Sequence, residues 1–241
     1  MKNLDKIKTF ISESEQGTIF TTPEWLEAVA PGKWDYITNE SAGSIKACMP
    51  IILNEKLGLT ICNMPPFTQS LGIMYPAYEG KYAEVLTRKM NALSELISVI
   101  PKNSYFRQRL HPSITNWLPF YWREYNQSTR YTYIIKDLAN QDKIWKSFRS
   151  NIRQEIRKAS KNIKIYQEDD FESLSFCIDS TFARQRNKNF DFSTLKNIFD
   201  SCKKLKNGKI IYPNGNVSEG EFYQNRYSVT LKKGEITFPN G

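Results

Sequence analysis

Apolar residues recur along the chain at two different spacings, and the alternation between them predicts a mixture of helices and strands. Spacings of three and four residues predict helices over residues 23–30, 82–100, 144–164, 170–184 and 193–206. Two-residue alternation and short apolar runs predict strands over residues 34–38, 44–53, 57–63, 104–110, 131–135 and 163–167. This order predicts a mixed α+β fold in which helices cover the sheets.

Capping and turn residues sharpen several of these boundaries. Thr22 is predicted to cap the helix that begins at Pro23, because its hydroxyl can accept an amide hydrogen bond and proline fits the first helical position. Ser193 is predicted to cap the last helix in the same way. Residues 40–43 are predicted to form the turn that joins the first two strands into a hairpin.

Residues 144–164, here called the basic segment, combine an apolar row with a row of arginines. The apolar row contains Trp145, Phe148, Ile152, Ile156 and Ala159. The neighbouring row, at steps of four, contains Arg149, Arg153 and Arg157. Residues 142–164 contain eight Lys or Arg and two acidic residues, so a net charge of +6 out of the chain's +9 lies there. The positive charge is therefore local.

Two interpretations of the basic segment are open at this point. Charged residues usually form the solvated face of a helix, which requires no ligand. Alternatively, the guanidinium groups form an anion site for a pyrophosphate, a nucleotide or a nucleic-acid backbone. The candidate phosphate-binding residues are Arg149, Arg153, Arg157 and Lys158. Nucleic-acid binding is the least favoured of these, because basic residues are concentrated in one helix.

Composition excludes several kinds of chemistry. The chain contains four cysteines, none in a C-x-x-C pair, and one histidine, His111, so we expect no metal site. Nothing near His111 in sequence indicates a Ser/His/Asp site, and no catalytic residue is assigned. Neither a signal peptide nor an apolar run long enough for a transmembrane helix is present, so we expect a cytoplasmic protein.

Several phrases resemble FemAB-like transferases, a branch of the GNAT acyltransferase superfamily. The resemblance covers about residues 18–210. It rests on Thr-Pro-Glu-Trp at 22–25, MPPFTQSLG at 64–72, HPSITNW at 111–117 and SFRSNIRQEIRKASKNIKI at 147–165. In that family two GNAT-like domains lie side by side. The resemblance therefore implies a GNAT-like domain over residues 1–140 and a partial second GNAT-like domain over residues 141–207.

The resemblance also implies a reaction and its substrates. Family members move an acyl or aminoacyl group onto an amine, and peptidoglycan precursors and aminoacyl-tRNA are known partners. The implied donor is an acyl-CoA or an aminoacyl-tRNA, and no tightly bound cofactor is expected. Acyl transfer needs mainly alignment of the reactants and backbone N–H groups that stabilise the oxyanion. The basic segment would then hold an anionic part of the donor or acceptor.

Two other parts of the sequence are candidates for the rim of a cleft. Phe67, Thr68 and Gln69 lie in a proline-rich loop, and loops held by rigid sheets often carry sites. The alternative for this loop is a stiff strand exit. Trp117 belongs to an aromatic cluster with Phe120, Tyr121 and Trp122. The cluster is interpreted chiefly as core, with stacking on a base or sugar as the alternative.

The last part of the chain, residues 208–241, departs from the family pattern. GKIIYPNG at 208–215 is echoed by GEITFPNG at 234–241, with SEGEF between them at 218–222. Each unit predicts a strand that ends in an Asn-Gly turn, and together they resemble MORN repeats. We expect the second GNAT sheet to be truncated or replaced here. The alternative function is therefore a catalytically incomplete binding or scaffold protein that contacts protein partners through its MORN-like repeats.

Overall fold

The structure is a computed structural model that describes residues 3–101, 105–135, 138–164, 170–185 and 190–202, together with the strands at 205–211, 217–224 and 229–231. The helices, in chain order, are α1 (Leu4–Glu13), α2 (Pro23–Val29), α3 (Tyr82–Ser98), α4 (Leu118–Tyr121), α5 (Gln141–Ser147), α6 (Ser150–Ala159), α7 (Phe171–Arg184) and α8 (Phe192–Cys202). The strands are β1 (Trp34–Ser41), β2 (Ser44–Lys56), β3 (Leu59–Cys62), β4 (Tyr105–Phe106), β5 (Leu205–Ile211), β6 (Val217–Gln224) and β7 (Val229–Leu231). The predicted α+β fold class is confirmed.

Contacts divide the chain into two compact units. Unit 1 comprises Met1–Tyr125 and Asp179–Gly241, and unit 2 comprises Asn126–Ile178. The predicted domain boundaries, at residues 140 and 207, stay a prediction. None of the helices in the described residues is long and apolar enough to cross a membrane.

A four-stranded mixed sheet in the order β1-β2-β3-β4 forms the centre of unit 1. The first three strands are antiparallel neighbours, and β4 runs parallel to β3. Two-residue turns join β1 to β2 and β2 to β3, at Ala42-Gly43 and Leu57-Gly58, and all four residues have positive φ. Positive φ at both positions is the type I′ geometry that matches the twist of a hairpin. The predicted hairpin is confirmed.

Strand β2 is buried on both faces, and this places one hydrophobic core on each side of the sheet. Cys48 and Ile52 belong to a core cluster with residues of α1 and α2, whereas Met49 and Ile51 belong to a second cluster with residues of α3. Successive side chains of a strand point to opposite faces, so a continuous apolar run fits a strand covered on both sides. The run CMPII at 48–52 therefore identifies the central strand.

Helix α1 was not predicted, although its sequence contains the signal. Ile7, Phe10 and Ile11 are buried at helical spacing, and the side chain of Asn3 accepts a hydrogen bond from the Lys6 amide. The cap predicted for α2 is confirmed, since the Thr22 hydroxyl accepts from the Trp25 amide and Pro23 is the first helical residue.

Four predicted elements require correction. The predicted cap Ser193 lies inside α8, and Asp191 caps this helix by accepting from the Thr194 amide at 2.9 Å. The predicted strand over residues 104–110 is reduced to β4, because only two of its residues pair with β3. The residues predicted as a strand at 131–135 form no strand, since they have no ladder partner. The fourth correction concerns the basic segment and is described with the site. The strand predicted at 163–167 lies mostly outside the described residues.

The C-terminal strands form a separate three-stranded antiparallel sheet in the order β5-β6-β7. Strand β5 pairs with β6 from Leu205↔Tyr223 to Ile211↔Val217, so the first MORN-like phrase begins within a hairpin strand, as predicted. Both predicted Asn-Gly turns, at 214–215 and 240–241, lie outside the described residues. The resemblance to MORN repeats stays a prediction.

Candidate functional site

The basic segment forms two helices rather than the single helix that its spacing predicts. Helix α5 ends at Ser147, and Phe148 has extended backbone angles (φ −68°, ψ 144°), as does Arg149 (φ −58°, ψ 149°). Helix α6 then starts at Ser150. The apolar residues keep their spacing of three and four through the break. Spacing along a sequence carries no information on backbone angles, so it does not reveal where one helix ends and the next begins.

The break changes the relationship among the three arginines. Arg149 precedes α6 as its N-cap residue, whereas Arg153 and Arg157 lie within the helix, four residues apart and therefore on one face. Among the described residues, the side chains of all three form no ion pair and no hydrogen bond. Arg149 and Arg157 are exposed and Arg153 is half-buried. The arginine row is thus open to a ligand, with one member at the helix N-terminus.

Structural roles account for part of the positive charge on α6. The guanidinium of Arg157 lies 5.6 Å from the centroid of the Trp145 ring, which is within cation–π range. Arg157 and Lys158 also occupy the last turn of α6, where the negative end of the helix dipole favours cations. Neither a cation–π contact nor a position at the helix C-terminus accounts for Arg149 and Arg153. Arg149 lies at the positive end of the dipole, which is a common place for an anion to bind.

In the apolar row of the basic segment, Trp145 and Phe148 are half-buried and the other three residues are exposed. Ile152 and Ile156 expose 46% and 39% of their surface, and neither α5 nor α6 contains a buried residue. The tyrosines at 131 and 133 are almost fully exposed, at 95% and 102%. A surface of this kind is uncommon unless it is an interface.

The loop proposed as a cleft rim is largely engaged in packing. The Thr68 hydroxyl accepts from the Trp25 indole N–H at 3.0 Å and donates to the Pro66 carbonyl at 3.0 Å, and Thr68 is 4% exposed. Phe67 has a φ of +56°, and its ring centroid lies 5.5 Å from that of Phe190. Gln69 is exposed and forms no side-chain hydrogen bond among the described residues. Its position keeps it a candidate for ligand contact.

Trp117, the other predicted rim residue, is half-buried against the second core cluster. Its ring contacts that of Tyr121 at 5.6 Å between centroids. Phe120 is 5% exposed and lies in the core, as the packing interpretation predicts, whereas Tyr121 and Trp122 are about 60% exposed. The roles of Phe67, Thr68, Gln69 and Trp117 on a rim stay a prediction.

His111 belongs to a hydrogen-bonded turn, as Pro112 directly after it indicates. The Ser113 amide donates to His111 Nδ1 at 3.2 Å, and Ser113 Oγ lies 2.9 Å from the same nitrogen. Because Nδ1 accepts from the amide, the neutral ring carries its proton on Nε2. Burial lowers the pKa of His111, with Glu15 opposing the shift, so the imidazole is neutral near pH 7. The contacts to a residue two positions away are those of a turn and by themselves indicate no nucleophile.

The turn at His111 packs closely against the loop that contains Gly72. A Cβ added to Gly72 would lie 2.7 Å from the His111 backbone nitrogen, and the Leu71 amide donates to the Arg109 carbonyl at 2.9 Å. The glycine therefore allows the loop that follows β3 to pack directly on the segment that follows β4. No group of three or more potential metal ligands is present in the described part of the chain.

Comparison with known proteins identifies the fold. No family model matches the chain, and no curated protein matches it. Among solved structures, the crystal structure of FemX matches with a TM-score of 0.55 and 17% sequence identity. The match covers 83% of this chain and 54% of FemX, so the chain spans about half the length of that protein. The chain therefore has a FemX-like α+β fold.

Proposed function

We propose that this chain acts in the transfer of an acyl or aminoacyl group onto an amine of an anionic substrate, a peptidoglycan precursor. The observation that carries the proposal is the pair of unpaired guanidiniums, Arg149 and Arg153, beside the N-terminus of α6 in a chain with a FemX-like fold. The family that the sequence resembles supplies the reaction class. The structure supplies a specific pair of anion-binding candidates within the predicted row.

The reaction is attack of a neutral amine on an activated carbonyl. A new C–N bond forms, the bond from the carbonyl to the thiol or tRNA hydroxyl breaks, and the proton lost by the amine passes to the leaving group. This chemistry requires alignment and stabilisation of the oxyanion more than covalent participation by the protein. The proposal includes no tightly bound cofactor, an acyl-CoA or aminoacyl-tRNA donor and a cytoplasmic location.

Arg149 and Arg153 are proposed to bind the diphosphate of the acceptor. Guanidinium groups match phosphate oxygens in pairs, and the first-turn amides of α6 add donors at the same end of the helix. Arg157 and Lys158 contribute less, because both lie in the last turn of α6 and Arg157 also contacts the Trp145 ring. The arginines of the row, which are equivalent in the sequence pattern, are thus proposed to have different roles.

The test measures transfer from labelled acyl-CoA and from aminoacyl-tRNA to a nucleotide-linked peptide acceptor, with FemX assayed in parallel. We expect Arg149→Gln and Arg153→Gln each to raise KM for the acceptor about 10-fold, as the loss of one charge-assisted hydrogen bond of about 1.5 kcal/mol requires. Arg157→Gln is the matched control and should change KM much less. Absence of transfer by this chain, with FemX active, would rule out the enzymatic proposal.

The second candidate is a binding protein that acts through its C-terminal repeats. It is supported by the antiparallel β5-β6-β7 sheet, which is separate from the four-stranded sheet. Its distinguishing result is binding of the acceptor without transfer from either donor. In that case Arg149→Gln would still weaken acceptor binding, measured by calorimetry, because the anion contact does not depend on turnover.

A further inference from the structure

Unit 1 contains a pocket that is lined by none of the predicted site residues. It lies between α3 and the segment 113–116 and has a volume of about 250 Å³. This α3 pocket is lined by apolar side chains of α3 and by Tyr75, Lys89, Ser113, Ile114, Thr115 and Asn116. All of these residues lie within unit 1. The volume is slightly below the usual range of about 300–1,000 Å³ for drug-sized ligands, so its ligand would be small.

The lining combines an apolar wall with a single charged residue. Helix α3 contributes the apolar residues at helical spacing, and Ile114 contributes from the opposite side. Lys89 is the one charged residue of the lining, and no carboxylate lines the pocket. The ammonium of Lys89 lies 5.6 Å from the centroid of the Tyr75 ring and forms no ion pair among the described residues. Within the described ranges, the Tyr75 ring is therefore in cation–π contact with this ammonium, and no carboxylate pairs with it.

Polar groups accompany Lys89 at the edge of the pocket. The Asn116 side-chain oxygen accepts from the Leu118 amide at 3.0 Å, which commits its oxygen and leaves its N–H groups as donors. Thr115 is exposed, and its hydroxyl has no partner among the described residues. Burial raises the pKa of Tyr75, so this side chain adds no negative charge at physiological pH. The lining thus offers donors and a cation but no anion.

A buried glutamine links Tyr75 to Ser113 in the lining of the pocket. Gln16 is 3% exposed, its Oε1 accepts from the Tyr75 amide at 3.1 Å, and its Nε2 donates to Ser113 Oγ at 3.2 Å. The Ser113 hydroxyl also contacts His111 within the turn described above. Because one side chain bonds to both Tyr75 and Ser113, these two lining residues are held in place before a ligand binds, which reduces the entropic cost of binding.

We propose that the α3 pocket binds a small carboxylate with an apolar body, such as an arylalkanoate. The carboxylate would pair with the Lys89 ammonium and accept from Thr115 or Asn116, and the apolar body would lie against α3. An unpaired ammonium beside an apolar wall favours an anion that has both parts, because a fully hydrated ion would leave the wall in contact with water. This site is independent of the proposed acyl transfer and of the basic segment.

The experiment compares 3-phenylpropionate with 3-phenylpropanamide, which has the same shape without the charge. Binding to the full chain is followed by calorimetry and by NMR shifts of residues in α3 and 113–116. We expect the carboxylate to bind about 10-fold more tightly than the amide, which is the effect of one charge-assisted contact of about 1.4 kcal/mol. Lys89→Gln should abolish this preference and Lys89→Arg should retain it.

Two further variants separate the proposal from trivial outcomes. Lys56→Gln removes an exposed lysine elsewhere on unit 1 and should leave both affinities unchanged. Gln16→Leu should weaken both ligands to a similar extent, because Gln16 positions Tyr75 and Ser113 without contacting the charge. Equal binding of the two ligands, shifts outside α3 and 113–116, or an unchanged preference in Lys89→Gln would each overturn the proposal. Since Lys89 is only half-buried, its variants are expected to fold.

Discussion

Units 1 and 2 both contain amphipathic elements, but their apolar residues are buried to different extents. In unit 1 most apolar positions of α1, α2, β2 and the second half of α3 are buried in the two core clusters. In unit 2 no described residue is buried, although α6 has a clear apolar row. An amphipathic pattern states which side of an element can be buried. Whether it is buried depends on a partner surface, and the described part of unit 2 supplies none.

The sharpest test of this difference is one substitution made in each unit. Ile51→Ala in unit 1 removes a side chain that is 1% exposed and should lower the free energy of unfolding by about 2–5 kcal/mol. Ile152→Ala in unit 2 removes one that is 46% exposed and should cost less than about 1 kcal/mol. Urea denaturation of both variants measures the two values. Similar losses would show that Ile152 is buried in solution.

A pair of helix caps gives a smaller effect on the same comparison. The Thr22 hydroxyl caps α2 in unit 1, and the Asn140 side chain caps α5 in unit 2 by accepting from the Lys143 amide. Thr22→Ala should lower global stability by about 1 kcal/mol, because α2 is part of the first core cluster. Asn140→Ala should instead speed amide exchange in α5 while the urea midpoint stays unchanged. A shifted midpoint in Asn140→Ala would contradict the contrast.

The smallest expected effect concerns pH. Burial lowers the pKa of His111 in the folded state, so the unfolded state binds a proton more readily as the pH falls through its ordinary pKa of about 6.5. Stability should therefore decrease between pH 7.5 and 5.5. His111→Asn keeps an acceptor for the Ser113 amide and should flatten this dependence. Since His111 is the only histidine of the chain, an equally steep profile in the variant would show that His111 does not cause it.

The candidate site has some features that the sequence predicts and others that only the folded structure shows. The arginine row was visible because guanidiniums at steps of four stand out in any sequence. The division of that row into Arg149 before α6, Arg153 within it and Arg157 beside Trp145 required backbone angles and ring positions. The α3 pocket had no signal at all in the sequence. Tyr75, Lys89 and Asn116 are distant along the chain and line one pocket only in the folded structure, where Gln16 bonds to the Tyr75 amide.

Local chemistry determined the elements that the sequence could predict unaided. Thr22-Pro23 opens α2, residues 42–43 turn β1 into β2, and the apolar run at 48–52 marks the central strand; each signal acts within a few residues. The folded surroundings decided two other features: residues 131–135 have no ladder partner and form no strand, and burial keeps His111 neutral. The reason is physical. A strand requires a hydrogen-bonding neighbour, and a buried face requires an opposing surface. The residues of an element do not by themselves show whether a neighbouring strand or an opposing surface is present.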